Sequence, residues 1–532
     1  MLLSKEVTFD KKVMMKLIKI FVILGVIGFF FGCSKDEVLQ ANDNKPPNSF
    51  EVKVVEVTTN SARIEWDEVM DPNGDEVMYS IYINNTTVVE NIKETTYDLH
   101  NLIHNTQHEG TVVASDQNGG ETSATFMFNT FDISPESGSV LWQKSLGGSK
   151  NDNILGVLAT EDNGYVVAGR SISKDGDFSI NRGSYDCWLV KLDGSGEIEW
   201  KKNYGGSKQD VIHDIAKSND GGYFLGAFSA SNDFDVTENS GMRDFWVVKT
   251  NSFGDVLWKT SVGGDKDDIV EGISSTQDGG CVVAGYTSST ENGVSGQSDA
   301  WVVKLSSNGT FEWGRVYGNE QRDLAWGVSE TSQGDFIAVG STENALGKRD
   351  ILVSKLNSEG ELLWTQTFGG SQNDWGQSLV QTTSGEFIIG GSSDSNDGDI
   401  VGNSGESDAV FIKLDASGNH VWTKVFGGTG SDYIEGICPT SDGGIIATGS
   451  TTSTGDAFSN NGGYDFWIVK LDASANITWH KQYGGTGHDY GASVTEDTEG
   501  NFLVGGSWYT NISGEGEGET GDYNFWALKL NK

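Results

Sequence analysis

Trp142, Trp200, Trp258, Trp313, Trp364, Trp422 and Trp479 recur 51 to 58 residues apart, and each opens a near copy of one segment. Around the last of them it reads WHKQYGGTGHDYGASV. A period of this size restricts the chain to a repeat architecture, because one supersecondary unit cannot bury its apolar face alone and must stack on copies of itself. Each unit contains four strand-like runs. The first carries the Trp and ends in Gly-Gly, as in VLWQKSLGG, and the second starts at an Asp, as in DIVEGISST. The third follows a tight turn such as QDGG and reads CVVAGYT, and the fourth reads DFWVVKL or similar. Seven units of four antiparallel strands predict a seven-bladed β-propeller over residues 137–532. Composition agrees: 71 Gly, 5 Pro and 11% aromatics suit many short strands and turns, and 532 residues exceed one ordinary core.

The phase of the repeat predicts how the ring closes. The chain enters on a Trp strand at Ser139 and leaves on a Lys strand at Lys529 and Leu530. With the Trp strand outermost, Trp142 completes a blade whose other three strands are the last three of the chain, a non-covalent clasp that removes open edges. This arrangement resembles the clasp of WD-repeat propellers, and WIVKLDASANITW resembles the strands of quinoprotein-type propellers.

Comparing the units with one another separates scaffold from site. Asp152, Asp210, Asp268, Asp323, Asp374, Asp432 and Asp489 hold one position in all seven, and Lys191, Lys249, Lys304, Lys355, Lys413, Lys470 and Lys529 hold another. A single active site does not need seven copies of a residue, so these serve the blades. The Asp is expected to accept backbone N–H bonds in the corner after Gly-Gly, with the glycines, and Asn319 in the fourth corner, supplying left-handed conformations. Four residues after each Asp comes a small residue, Asp214 excepted, which fits a strand crowded at the channel. Among tryptophans of the repeats, Trp326, Trp375 and Trp508 alone break the pattern. Trp326 and Trp375 fall near the start of the Asp strand, and Tyr433 and Tyr490 take the place of Trp375 in the next two units. Trp326, Trp375, Tyr433 and Tyr490 are therefore the candidate ligand platform, an arc at the mouth of the face that carries the long loops. Packing between neighbouring blades is the alternative for these four.

The N-terminus carries an address. Lys11, Lys12, Lys16 and Lys19 precede the apolar run from Ile20 to Phe31, too short for a hydrocarbon core and suited to a secretory signal over residues 1–32. The ending FFFGC resembles a bacterial lipobox, which implies lipidation at Cys33, and Lys35-Asp36-Glu37 resembles a surface-export signal of some Gram-negative lipoproteins. The resemblance implies an outer-membrane lipoprotein exposed at the cell surface, with residues 33–45 as a polar tether. Residues 46–131 resemble a fibronectin type III module: PPNSFEVKVVEVTTNSARIEWDEV alternates apolar and polar residues through two strands and places Trp66 where that family buries its core Trp. His108 stands where the family's corner Tyr would be. The fold class is thus all-β, a small fibronectin type III-like sandwich before a seven-bladed propeller.

Chemistry is harder to find. A net charge of −40 repels nucleic-acid phosphates, so DNA and RNA are excluded as partners. Cys187, Cys281 and Cys438 fall at different repeat positions and read as buried small hydrophobes, not a disulfide framework. His100, His104 and His108 lie in strand and turn territory, where helical spacing builds no metal site. Calcium is conceivable in the acidic loops from Lys174 to Asp177 and from Asp394 to Asp399, but neither has EF-hand spacing and solvated turns are the better reading. No cofactor is assigned. SNDGGYF and TSDGGII resemble the Asp-box of sialidase propellers without its terminal Trp, and no arginine cluster for a sugar carboxylate is evident. There is no vicinal cysteine pair for a quinone enzyme, and no GxSxG, HExxH or P-loop, so no catalytic residue is named. The leading expectation is a surface-tethered, non-catalytic module that binds or adheres to glycan or protein ligands. A carbohydrate-active enzyme with paired carboxylates at the channel mouth and a structural envelope component are the alternatives.

Overall fold

The computed structural model describes residues 44–532 except 58–60, 85, 101, 103–105, 117, 131–136, 456–457, 461 and 510–522. Cys33 and the signal-like segment lie outside the described residues, as does His104. Among the described residues no helix is long and apolar enough to cross a membrane. The chain divides into two compact units, Met1–Ser134 and Pro135–Lys532.

The first unit is a β-sandwich. One sheet pairs Val52–Val57 with Ala62–Trp66 and Thr96–Leu99. The other orders Thr86–Ile92, Met78–Ile83, Gln107–Ser115 and Glu121–Asn129. Alternating residues point inward, and Trp66 and Tyr79 meet edge to face in the core, 5.3 Å between ring centroids. His108 is buried against Phe128, with Asn84 3.3 Å from its Nδ1, so it serves the core of the sandwich.

The second unit is a seven-bladed β-propeller. Blade 1 runs from its inner strand Asp152–Ala159 through Tyr165–Ser171 and Asp186–Leu192 to the outer strand Ile198–Tyr204. Blades 2 to 6 repeat this order from inner strands beginning at Asp210, Asp268, Asp323, Asp374 and Asp432. Blade 7 joins Tyr490–Glu496, Phe502–Tyr509 and Tyr523–Leu530 to Val140–Leu146, which comes from the start of the unit. Lys529 faces Trp142 across that last pairing, the clasp expected from the phase. The inner strands of blades 7 and 1 touch as those of other neighbours do, and the ring is closed.

Each repeated residue has a structural duty. The third strands are buried on both faces because blades stack face to face, which explains their unbroken apolar runs. Their one Lys survives burial by pairing with a carboxylate of the tight turn before it: Lys191 with Asp162 at 3.0 Å, Lys304 with Asp278 at 2.8 Å, Lys470 with Asp442 at 2.8 Å. The outer-strand Trp covers the turn of the next blade. A Cβ on Gly196 would come within 2.9 Å of Trp142, and the Trp142 indole donates to Gly194 O at 3.0 Å. The repeated Trp is therefore a blade-to-blade contact, which answers why it recurs seven times.

In the corner, the N–H of the second glycine donates to the Asp, as Gly148 does to Asp152 at 2.8 Å and Gly264 to Asp268 at 2.7 Å. The glycines are required for space, however, and not for the left-handed region. Of the corner pairs only Gly205 has a positive φ. A Cβ on Gly369 would lie 2.5 Å from Asp350 Oδ1 and 2.7 Å from Asp374 Oδ2. Asn319 likewise is not left-handed; its amide donates to Thr342 Oγ1 at 2.8 Å and Glu343 O at 3.1 Å. The small residue after each Asp is crowded by the neighbouring blade: a Cβ on Gly272 would meet Trp326 O at 2.5 Å. Asp214 at this position does what Ser493 does, accepting an N–H from the next inner strand, here Ile273 N at 3.0 Å. The acidic loops are also tied to corners, since Ser149 N donates to Asp175 and Ser371 N to Asp397, both at 2.7 Å. Among the described residues Cys187 and Cys281 are buried thiols and Cys438 is half-buried, all free.

Candidate functional site

Every inner strand carries a β-bulge three residues after its Asp. A bulge leaves one residue unpaired and re-aims its side chain. The bulged residues are Leu155, His213, Glu271, Trp326, Gln377, Glu435 and Ala492. Where the Asp and Lys positions hold one residue type throughout, this one holds six different types, the signature expected of a site and not of a scaffold. All but Ala492 line a polar cavity of about 320 Å³ to which all seven inner strands contribute, the central channel.

The channel brings ionisable groups together. His213 Nδ1 lies 2.7 Å from Glu271 Oε2 on the next blade. Gln377 Nε2 donates to Glu435 Oε2 at 3.0 Å, again across a blade boundary. Glu435 opens to the channel, but the surrounding blades deny its charge bulk water. This desolvation, with the Glu271 charge as a lesser cause, lifts its pKa to about 7. Burial lifts Asp214 to about 6 although the N–H groups of Ile273 and Ile215 favour its charge. A carboxyl that holds its proton near neutrality can give and take protons.

Above the channel, on the long-loop face, lies a second cavity of about 420 Å³. Trp326, Trp375, Tyr433 and Tyr490 all line it, together with Tyr464. Tyr464 packs between two of them at tilted angles, its centroid 5.9 Å from Tyr433 and 5.5 Å from Tyr490. All five rings are half-buried and none belongs to the apolar clusters between blades. Gln377 and Glu435 line both cavities, so the aromatic mouth opens onto the polar channel. Trp508, the third exceptional tryptophan, packs on Trp526 within blade 7 instead. Sequence reading missed Tyr464 and the bulge residues other than Trp326. The signal for Tyr464 was present: the residue before the third-strand Asp varies as Tyr185, Arg243, Ser298, Arg349, Ser407 and Tyr464.

Comparison with known proteins adds a family for the first unit. Residues 45–128 match the family model of the fibronectin type III domain. That stretch is a fibronectin type III domain. A solved structure of this kind, FN3tt, is 21% identical and covers 16% of this chain and 95% of its own, with a TM-score of 0.13. No curated protein sequence matches. Among solved structures, the exotype rhamnogalacturonan lyase YesX is 12% identical over 91% of this chain and 90% of its own, TM-score 0.30. YCF48 bound to D1 peptide is 8% identical over 75% and 99%, TM-score 0.39.

Proposed function

We propose that the protein is a lipoprotein tethered at the outer membrane through Cys33, exposed at the cell surface, whose propeller binds glycans in the aromatic cavity of its long-loop face. The observation that carries this reading is five half-buried rings around one cavity of about 420 Å³, outside every interblade core, with an amide and a carboxyl at the floor. Flat apolar rings beside hydrogen-bonding groups suit sugar rings, which present C–H faces and hydroxyl edges. The test is a glycan array followed by titration of Trp375→Ala and Trp326→Ala. Both variants should melt close to the parent and bind at least about tenfold more weakly, a loss of about 1.4 kcal/mol. A loss of about 3–5 kcal/mol of stability in both would instead mark them as core residues.

The tether has its own test. Cys33→Ala should release a soluble protein, and protease added to intact cells should digest the parent. Protection on intact cells would place the protein facing the periplasm.

A second reading has one specific observation in its favour. Burial lifts the pKa of Glu435 to about 7, a value suited to a general acid, and Glu271 of blade 3 lines the same channel, which supports a carboxyl pair of the kind glycoside hydrolysis uses. Should a bound glycan be cleaved, Glu435→Gln would abolish turnover and retain binding.

A further inference from the structure

The two halves of the mouth differ. Across the ring from the aromatic arc, blades 1 to 3 carry an apolar pad in which Val211, Phe228 and Ile269 are buried and Leu155, Tyr185 and Tyr286 pack against them. Leu155 is one of the channel-lining bulge residues, so the pad reaches the channel itself. Three guanidiniums stand on this pad: Arg170 over Tyr185 at 5.0 Å, Arg243 over Phe228 at 5.5 Å, and Arg322 over Tyr286 at 5.8 Å from the ring centroids. They come from second, third and inter-blade segments far apart in sequence, and the ring collects them.

Two of the three positions, those of Arg170 and Arg243, are those of the cavity lining. Arg170 occupies in blade 1 the second-strand place, opposite the residue after the repeated Asp, that Ser392 and Ser450 occupy in blades 5 and 6. Arg243 precedes its third-strand Asp as Tyr464 does. Ser392, Ser450 and Tyr464 all line the aromatic cavity. Tyr286, the ring beneath Arg322, belongs to the same pad as the channel-lining Leu155.

The arginines differ in availability. Arg243 is held by Asp267 through two bonds of 2.8 Å. Arg170 has one long contact, 3.5 Å to Asn153 Oδ1, and Arg322 has none beyond its ring; among the described residues neither has a carboxylate partner. In a chain with 76 acidic and 36 basic residues, where all seven repeat lysines are paired, Arg170 and Arg322 are, among the described residues, half-buried cations that hold a ring and no carboxylate. Stacking on a ring fixes the plane of a guanidinium and leaves its N–H edge free for a planar or tetrahedral oxyanion.

We infer that the glycan taken by this mouth is anionic, a carboxylated or sulfated oligosaccharide whose rings lie on the aromatic arc while Arg170 and Arg322 bind its acidic groups. This rests on the glycan reading of the same cavity and specifies its ligand class. A high density of negative charge elsewhere on the chain then repels acidic polymers everywhere except at this mouth.

The test is calorimetric titration of residues 34–532 with three probes: tetragalacturonate, its carboxyl-reduced neutral counterpart, and a chondroitin sulfate tetrasaccharide. At least one acidic probe should bind ten or more times tighter than the neutral one, weaken as sodium chloride rises, and lose tenfold or more in Arg322→Ala and Arg170→Ala. Which acidic probe binds distinguishes carboxylate from sulfate. Melting curves of both variants, and of Arg322→Gln, should match the parent, separating recognition from folding. Equal binding of the neutral probe, or acid-selective binding that both arginine variants retain, overturns the inference and leaves the glycan reading standing. Loss of every glycan on the array would sink the glycan reading first.

Discussion

Deletion of residues 137–148 should abolish the cooperative unfolding transition of the propeller or lower its stability by about 5 kcal/mol or more. The segment supplies the outer strand of blade 7, and its removal bares the buried strand Tyr523–Leu530 along its whole edge. Leu146 is buried in the core shared with blade 1, and Trp142 packs on that core and on the Gly196 turn. Losing one buried Leu and one packed Trp costs about 2–5 and 3–5 kcal/mol, which is comparable with the whole stability of a domain. The bared edge should also associate, because unpaired N–H and C=O groups template further strands. Denaturant titration with light scattering checks both effects. The control is deletion of the fibronectin type III domain, which should leave the propeller transition in place. A propeller transition unchanged by the short deletion would refute the clasp as a source of stability.

Stability should peak at an unusually acidic pH. Six blade junctions bring two aspartates together: Asp186 with Asp210, Asp244 with Asp268, Asp299 with Asp323, Asp350 with Asp374, Asp408 with Asp432 and Asp465 with Asp489. All but Asp350 are buried. At the seventh junction Asn524 faces Asp152. Burial, with the partner's charge as a smaller cause, raises Asp244 and Asp408 to about 6, and burial raises Asp152 to about 6. A raised folded pKa means that the folded state holds protons the unfolded chain has already released. The stabilisation from these groups is complete below the unfolded value near 4 and is lost as pH rises through 6, with each of the three worth on the order of 3 kcal/mol.

The opposite sign applies on the acid side. Asp162, Asp220 and Asp442 are lowered to about 2; burial opposes their charge, but the hydroxyls of Thr160, Ser218 and Thr440 and the paired lysines outweigh it. Their contribution is present above about 4 and is lost as pH falls through 2. Melting temperatures from pH 3 to 8 at constant ionic strength should therefore be highest between about 4 and 5 and decline toward 7. Asp244→Asn and Asp408→Asn place the neutral amide already found at Asn524 and should flatten that decline. A melting temperature that climbs steadily to pH 7 would contradict the aspartate-pair account.

How much of this was legible beforehand depended on whether a feature recurs. Blade number, strand order, ring closure and the structural duty of the repeated Asp, Lys and Trp were readable because each appears seven times, and recurrence exposes residues that serve the unit. The four aromatics of the mouth were readable as departures from that recurrence. The reason for the corner glycines was not: the sequence shows that a small residue is needed, but only the neighbouring carboxylates show that the need is space and not a left-handed backbone.

The channel ring was hidden for a different reason. A bulge is a mismatch between two strands, so nothing in either strand alone marks Glu271, Gln377 or Glu435 as unpaired and turned inward. The arginines of the mouth were hidden by distance, since Arg170 and Arg322 lie 152 residues apart and share a surface only because consecutive blades stack around the axis. The sequence by itself determined the scaffold, because local strand pattern and periodic burial are written within each unit. Only the tertiary structure decided the site, because its chemistry comes from residues that no unit repeats and that meet where seven blades turn inward to one axis.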